Sequence, residues 1–403
     1  MSRGGGGPLA GVRVVDLTSV VVGPACTRAL ADQGADVVKI EAPEAGDLLR
    51  HIAQGARTPA MSGKFINFNR NKRSVVLDVK HAEGRAALLR LVAGADVFVS
   101  NIRPAALARA KLDYASLAPD HPRLIYCGIV AFGTEGRYAN RPAYDPIIQS
   151  LSGVAATFHR AMGEPRFVPM VMTDHITGLV AAQGIGFALY RRERTGRGEA
   201  IEVPMFETMA SFVASEHLGP ATFDPPEGPA GDNRLLSPEY RPLPTKDGFI
   251  TVAPNTDAQA FAFFDAIGRP ELKVDPRFAS PVARTDNAAT YFEVRVAGLR
   301  QRSTAEWLEI FSRLDVPAAR YNTIEDLLDD PHLNDTGFWQ GEDHPTEGRL
   351  RRARVSTRFG GGMREEVLPA PRLGQHTREV LAEVGFSEAE VARLLECGAA
   401  RSP

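Results

Sequence analysis

The amino-acid sequence predicts an α/β protein with a doubly wound parallel sheet, and three observations lead to this fold class. Strand-like and helix-like segments alternate over the first ~200 residues, which is typical of parallel sheets whose crossovers are helices. The predicted strands are short apolar runs bounded by glycine, proline or polar residues. The length of 403 residues leaves room for a second domain.

The predicted elements follow one another regularly from the N-terminal end. The first strand covers residues 12–17 and is followed by Gly23, Pro24 and a helix that ends near Ala31. A second strand at residues 36–40 completes a β–α–β unit of the Rossmann type. The pattern continues with strands at 74–79, 96–100 and 124–130, a helix at 82–92 and a short helix opened by Pro104. Residues 167–172 are predicted as a further β-type segment before a long apolar helix that ends at Gly196.

A change in composition predicts the domain organisation. Proline and glycine crowd residues 220–231, which indicates a linker after a first large-domain part at residues 8–219. A strand at 249–253 and several amphipathic stretches predict a small α+β domain at residues 232–335. Residues 340–403 again resemble sheet and helix and are predicted to return to the large domain. The glycine-rich residues 1–7 are predicted to be a flexible tail.

Composition and charge exclude several classes of function. The 47 basic and 49 acidic side chains give a net charge of −2, so a nucleic-acid partner is not expected. No apolar run reaches the ~18 residues of a membrane span, and the tail lacks the apolar region of a signal peptide. Three widely spaced cysteines and nine histidines without ligand spacing predict neither a disulfide framework nor a metal site. We therefore expect a cytoplasmic protein that contacts no membrane.

The first β–α turn argues against a dinucleotide cofactor. Glu41 ends the second strand, where a dinucleotide enzyme places the acid that holds the ribose. The turn after the first strand, however, lacks the G-x-G-x-x-G fingerprint that lets backbone approach a pyrophosphate. An NAD-dependent dehydrogenase is thus a weak hypothesis.

Asp174 is the most informative single residue, and it has two interpretations. It precedes a long helix at the predicted carboxyl end of a β-type segment, where ligands bind in doubly wound sheets. A carboxylate there can attack an activated acyl group. The alternative is a helix cap, a common role of aspartate at this position. Glycines and alanines in the following helix predict that it is central and buried.

Two basic clusters also have alternative interpretations. The first contains Lys80, Asn101, Arg103 and Arg109, near predicted strand ends where an anion can bind. A solvated face explains it equally well. The second cluster, at residues 349–358, is interpreted as exposed strand.

Seven motifs in a fixed order resemble the class III CoA-transferases, the family of formyl-CoA transferase and carnitine CoA-transferase, to which the α-methylacyl-CoA racemases are related. They span almost the whole chain: LAGVRVVDLT at 9–18, GP at 23–24, GADVVKIE at 34–41, NKRSVVLD at 71–78, D-x-x-T-G at 174–178, TGRG at 195–198 and LGQHT at 373–377.

This resemblance implies an activity and a set of site residues. Asp174 would be the nucleophile that forms an anhydride and then an aspartyl-CoA thioester. With an ordinary pKa of ~3.9, its carboxyl group is expected to be ionised at neutral pH. Coenzyme A or acyl-CoA would bind as substrate rather than as a permanent cofactor, with a carboxylic acid as acceptor. The resemblance further implies an interlocked homodimer. The implied CoA-site residues are Val20, Leu77, Lys80, Asn101, Arg109, Tyr144 and Met205.

Departures from the family pattern leave other activities open. Val21 stands where formyl-CoA transferase has glutamine, Ala42 replaces a basic residue, and no tetraglycine loop occurs in the small domain. Formyl or oxalate specificity is therefore not expected, and small or medium acids, including dicarboxylates such as succinate, remain candidates. Racemisation would need a second acid/base group, but the racemase motif has Tyr144 in place of histidine. A non-catalytic CoA-binding protein is the third alternative.

Overall fold

The computed structural model describes residues 6–52, 55–360 and 367–403, so residues 1–5 of the predicted tail lie outside it. Strands alternate with helices along much of the described chain. The strands are β1 Arg13–Leu17, β2 Asp36–Glu41, β3 Lys72–Leu77, β4 Val97–Ser100, β5 Ile125–Val130, β6 Ala200–Pro204, β7 Leu243–Pro244, β8 Phe249–Val252, β9 Ala318–Arg320, β10 Trp339–His344, β11 Gly348–Ala353 and β12 Ala400–Arg401.

The helices connect these strands. They are α1 Val22–Asp32, α2 Gly63–Asn69, α3 Ala82–Ala93, α4 Pro104–Ala110, α5 Tyr114–Leu117, α6 Asp145–Leu151, α7 Val154–Met162, α8 Met172–Thr195, α9 Met205–His217, α10 Asp257–Ala266, α11 Pro281–Asp286, α12 Ala288–Leu299, α13 Thr304–Arg313, α14 Pro331–Asp335, α15 Thr377–Glu383 and α16 Glu388–Glu396. None of those described is long and apolar enough to cross a bilayer.

The described chain divides into two compact units. The larger unit comprises residues 1–152, 168–211 and 337–403, and the smaller unit comprises residues 153–167 and 212–336. The larger unit holds a seven-stranded sheet in the order β12-β3-β2-β1-β4-β5-β6, which is parallel except for the edge strand β12. The predicted parallel sheet is confirmed.

Apolar strands place the main core on the sheet of the larger unit. Val15 pairs with Val38 on one side and with Phe98 on the other, and all three side chains are buried. Residues of α3, α15 and α16 pack against the same cluster. The continuous apolar runs of these strands thus reflect burial on both faces of the sheet.

The smaller unit has its own core and its own three-stranded sheet, in the order β7-β8-β9. Aromatic side chains dominate this core: Trp307 stacks on Phe311 with ring centroids 5.2 Å apart, and Phe311 stacks on Phe263. Ser303 and Glu306 form a reciprocal capping box at the start of α13, which fixes where that helix begins.

Two predictions about the segment around Asp174 were wrong. Residues 167–171 form no strand, and α8 already begins at Met172. This helix is also not buried all round, because Leu179, Phe187 and Tyr190 are exposed on one face. Its small residues serve the other face, where a Cβ on Gly178 would lie 2.7 Å from the Val22 carbonyl oxygen of α1.

Candidate functional site

The candidate site lies where the order of successive strands in the sheet reverses. Strands follow one another outward from β1 through β2 and β3, and the chain then returns to place β4 on the other side of β1. Ser19 follows β1 and Asn101 follows β4. The Ser19 N–H donates to the Asn101 side-chain oxygen (3.1 Å), and the Asn101 amide donates to the Ser19 carbonyl oxygen (2.9 Å). This reciprocal pair marks the switch point, where doubly wound proteins bind ligands.

A first cavity, of about 550 Å³, lies at the carboxyl ends of β1, β2 and β3. The predicted residues Leu77 and Lys80 both line it, together with Ala42 and Asp78. Lys80 is followed by His81, the capping residue of α3. Lys80 is the only cationic side chain among the described residues that line this cavity.

Glu41 lines the same cavity but is engaged in the protein interior. Its two carboxylate oxygens accept from the Arg50 guanidinium at 2.7 Å each, and one of them also accepts from the Ser74 hydroxyl at 2.6 Å. A carboxylate with these partners cannot also hold a ribose diol without breaking a buried ion pair. The structure thus gives a physical reason against the dinucleotide hypothesis.

A second cavity, of about 450 Å³, contains Asp174. Four of the predicted CoA-site residues line it as well: Val20, Asn101, Tyr144 and Met205. The two cavities share Ser19 and Ile102 in their walls, so they adjoin at the switch point. Arg109 lines neither of them and lies exposed on α4, so the predicted cluster is split among three places.

Asp174 does not cap its helix. It lies within the first turn of α8, while Asp145 accepts hydrogen bonds from the Thr173 N–H (2.8 Å), the Thr173 hydroxyl (2.7 Å) and the Asp174 N–H (3.2 Å). The orphan amides of this helix end are therefore satisfied by another carboxylate. In the described chain the Asp174 carboxylate itself has no hydrogen-bond or ion-pair partner, although the residue is only 8% exposed.

The surroundings of Asp174 change its ionisation. Burial, with a smaller contribution from the negative charge of Asp145, raises the pKa of Asp174 to about 7. The expectation of an ordinary pKa was wrong, because the sequence could not reveal that a second carboxylate and a largely apolar wall surround this one. A carboxylate with few hydrogen-bond donors is a better nucleophile than a fully solvated one.

Val20 occupies an unusual backbone conformation at the wall of the second cavity. Its φ is +66°, in the left-handed region that β-branched residues avoid. The Val20 N–H donates to Asp47 at 2.9 Å, and Asp47 is itself paired with Lys39 at 2.8 Å. A buried polar network thus holds the loop after β1 in a backbone conformation that is unfavourable for an isolated peptide.

Sequence reasoning missed two residues of this site. Asp145 was not among the predicted site residues, although Pro146 directly after it is a signal for the start of a helix. Arg141 lines the Asp174 cavity, and its guanidinium lies 4.3 Å from the centroid of the Tyr138 ring. Within the described residues, no group of three or more His, Cys, Asp or Glu side chains is arranged to hold a metal ion.

Comparisons with known proteins agree with this geometry. The family model "CoA-transferase family III" matches residues 9–377. A succinate–glutarate CoA-transferase from Agrobacterium fabrum is 32% identical over 390 residues, covering 94% of this chain and 96% of the relative. A formyl-CoA:oxalate CoA-transferase from Bradyrhizobium is 30% identical, with 98% of both chains covered.

A solved structure supports the same assignment. A CaiB/BaiF family protein from Brucella suis superposes with a TM-score of 0.76 at 32% identity, covering 94% of this chain and all of that one. The sequence motifs, the sheet and the full-length matches therefore lead to one conclusion. The chain belongs to CoA-transferase family III.

Proposed function

We propose that this protein transfers coenzyme A from an acyl-CoA thioester to a free carboxylic acid, with Asp174 as the covalent nucleophile. The observation that carries the proposal is the state of the Asp174 side chain. It is buried in a cavity at the switch point of the sheet and has no partner among the described residues. A carboxylate that is neither a cap nor part of an ion pair is available for chemistry.

The proposed reaction consists of two matched halves. In the first half, Asp174 attacks the thioester carbonyl, the C–S bond breaks, and a mixed anhydride and CoA thiolate form. The thiolate then attacks the Asp174 carbonyl, which releases the donor acid and leaves an aspartyl-CoA thioester. In the second half, the acceptor carboxylate attacks this thioester, and the freed thiolate attacks the acceptor carbonyl of the new anhydride. The product is acceptor-CoA, and Asp174 returns to its carboxylate.

The wall of the second cavity suits an intermediate that water would destroy. Apolar side chains line much of the cavity that contains Asp174: Val20, Val21, Ile129, Val130 and Met205. Excluding water from an anhydride protects it from hydrolysis and strengthens the electrostatic interactions within the cavity.

The adjoining cavities support a division of the coenzyme between them. We assign the nucleotide end to the first cavity, where Lys80 provides a cation for phosphate beside Leu77. The thioester end would lie in the second cavity, where Val20 and Asn101 line the approach and Tyr144 and Met205 line the region of Asp174. A contact between Arg109 and coenzyme A stays a prediction from the family resemblance.

Racemisation fits the second cavity less well. Its lining in the described chain offers Arg103, Arg141 and Tyr144 as titratable side chains besides Asp174. Neither arginine nor tyrosine removes a carbon-bound proton readily at neutral pH. Rapid exchange of the acyl α-hydrogen in heavy water would favour the racemase alternative over transfer.

The substrate class, the assembly and the location belong to the same proposal. Relatives carry names with succinate, glutarate and malate in them, which favours dicarboxylates as donors or acceptors. An exposed apolar face on α8 favours a homodimer, because large apolar patches on monomers are uncommon. Interlocking of the two chains and a cytoplasmic location stay predictions.

Mass spectrometry tests the proposal directly. Wild-type protein incubated with succinyl-CoA should carry an aspartyl-CoA adduct on the peptide that contains Asp174, and Asp174→Asn and Asp174→Ala should carry none. Asp120→Asn, at an exposed aspartate remote from both cavities, should retain the adduct and the transfer activity. Transfer activity that survives in Asp174→Ala would falsify the proposal, and CoA binding without any adduct or transfer would support a non-catalytic protein.

A further inference from the structure

The smaller unit contains a cavity of its own that the transfer reaction does not use. This small-unit cavity has a volume of about 630 Å³, within the range of small-molecule sites. Its walls come from residues 232–295 and include Arg234, Tyr240, Tyr291, Phe292 and Arg295. It shares no lining residue with the cavities around Asp174 and Lys80.

Positive charge is in excess around the small-unit cavity. Of the four arginines in its wall, Arg284 pairs with Asp257 at 2.8 Å and Arg241 pairs with Glu239 at 2.9 Å. Arg234 and Arg295 have no carboxylate within ion-pair distance among the described residues. Asp232, the acidic residue of the wall, accepts instead from the backbone N–H groups of residues 234 and 235.

Arg295 carries the argument, because its guanidinium is buried without a counterion. The residue is 7% exposed, its Nη2 donates to the Val252 carbonyl oxygen, and its Nε has no acceptor. Burial lowers the pKa of Arg295, in keeping with the absence of a carboxylate partner. An uncompensated buried cation is costly, and removing an anion from it leaves a polar group unsatisfied.

A second unsatisfied group lies beside it. The Tyr291 hydroxyl is buried and has no hydrogen-bond partner, and the Tyr291 ring centroid is 5.4 Å from the Arg295 guanidinium. The Phe292 ring centroid lies 4.8 Å from the same guanidinium. Tyr291 and Arg295 thus both line the small-unit cavity together with aromatic surface, and each keeps one buried donor without a partner among the described residues.

We propose that the small-unit cavity binds a small organic anion. Its carboxylate or phosphate oxygens accept hydrogen bonds from the guanidinium groups of Arg295 and Arg234, and its planar or apolar body packs against Tyr240 and Phe292. The guanidinium fork matches both kinds of oxyanion, which is why the ligand is defined by this shared chemistry. The inference stands on the smaller unit alone and does not depend on the chemistry of Asp174.

Calorimetric titration of the full chain tests the site with matched pairs of probes. Benzoate is compared with its neutral analogue benzamide, and adenosine monophosphate with adenosine. We expect saturable binding of at least one anion and none of its neutral partner. Binding of benzoate alone identifies a carboxylate ligand, and binding of the nucleotide alone identifies a phosphate ligand, provided that the cavity variants described below weaken that binding. If neither anion binds, the proposal is wrong.

Variants then locate the binding. Arg295→Met removes the charge at similar length, and Arg234→Gln does so at an exposed loop position where folding is not at risk. Each should weaken the Kd of the anion by about 10-fold to 100-fold, the usual effect of losing a charged hydrogen bond. Arg300→Gln, at an exposed arginine just beyond the end of the helix that carries Arg295, should bind like the wild type. An unchanged Kd in both cavity variants would place the anion elsewhere and overturn the proposal.

Discussion

The Asp145 carboxylate accepts a hydrogen bond from the backbone N–H of Asp174 at 3.2 Å. Asp145 therefore caps helix α8, which carries Asp174 in its first turn. The same contact brings two negative charges together, and their repulsion adds to the effect of burial on Asp174. A single relationship thereby frees the Asp174 side chain and raises its pKa. It links the capping of α8 to the ionisation of Asp174.

The first prediction concerns the pH dependence of transfer. In the proposed reaction the ionised form of Asp174 is the nucleophile, and the pKa of Asp174 is raised to about 7, so kcat/KM should rise with pH through about 7 and level off above it. Asp145→Asn should move the midpoint to lower pH, but only part of the way, since burial is the larger cause. Initial rates across a pH series measure both; a flat profile near neutrality would contradict the assignment.

A second prediction concerns stability at alkaline pH. A carboxyl whose folded pKa lies above its unfolded value binds more protons in the native state, so its contribution becomes unfavourable as pH rises from about 4 to about 7. Asp174→Asn removes this penalty and should raise the free energy of unfolding at pH ~8 by roughly 1–4 kcal/mol. The gain should shrink at pH ~5, where the carboxyl is protonated. Urea unfolding at the two pH values checks the difference, and an equal effect at both would refute it.

Two glycines of α8 form a matched pair for a third test. A Cβ on Gly178 would lie 2.7 Å from the Val22 carbonyl oxygen and 2.9 Å from the Ala25 Cβ, so Gly178→Ala should cost about 1–3 kcal/mol by overpacking. At Gly186 nothing lies within 4 Å, and Gly186→Ala should instead stabilise the helix by about 0.5–1 kcal/mol. Thermal unfolding of both variants tests this difference. Destabilisation of the same size at both positions would contradict the close approach of α1 to Gly178.

The fourth prediction addresses the pair of Glu41 and Arg50. Both side chains are almost fully buried, so Glu41→Ala leaves an uncompensated guanidinium and should cost about 3–5 kcal/mol. The pair of Arg191 and Glu199 has a similar distance of 2.8 Å but lies at the surface. Glu199→Ala should therefore change stability by less than ~1 kcal/mol. The denaturant midpoints of the two variants measure the losses of stability. Losses of similar size would show that burial does not determine how much each ion pair contributes.

Much of the larger unit could be predicted from the sequence because its strands carry the signal in local residues. Apolar runs such as residues 12–17 and 124–130 lie on buried strands within one residue of their predicted starts. The segment before Asp174 could not be predicted in this way. Its apolar residues suggested a strand, but Asp145, 29 residues away in sequence, satisfies the helix end and lets α8 begin at Met172.

The sequence could predict that several candidate site residues lie close together, but it could not predict their chemical environment. Asp174, Val20, Asn101, Tyr144 and Met205 do share one cavity, because parallel strands and their following loops meet at one edge of the sheet. The pKa of Asp174 could not be predicted, since it depends on burial and on a partner distant in sequence. The role of Glu41 could not be predicted either. Its position at the end of β2 suggested ribose binding, but its carboxylate accepts a hydrogen bond from Arg50.

The edge strand β12 has a consequence for how this chain is made. It pairs with β3, and the nearby Gly374 N–H donates to the Ser74 hydroxyl across 300 residues of sequence. During synthesis, β3 therefore leaves the ribosome long before its neighbour exists, with an unprotected hydrogen-bonding edge. Nascent chains of this protein should depend on a holding chaperone until residues 400–401 have been synthesised.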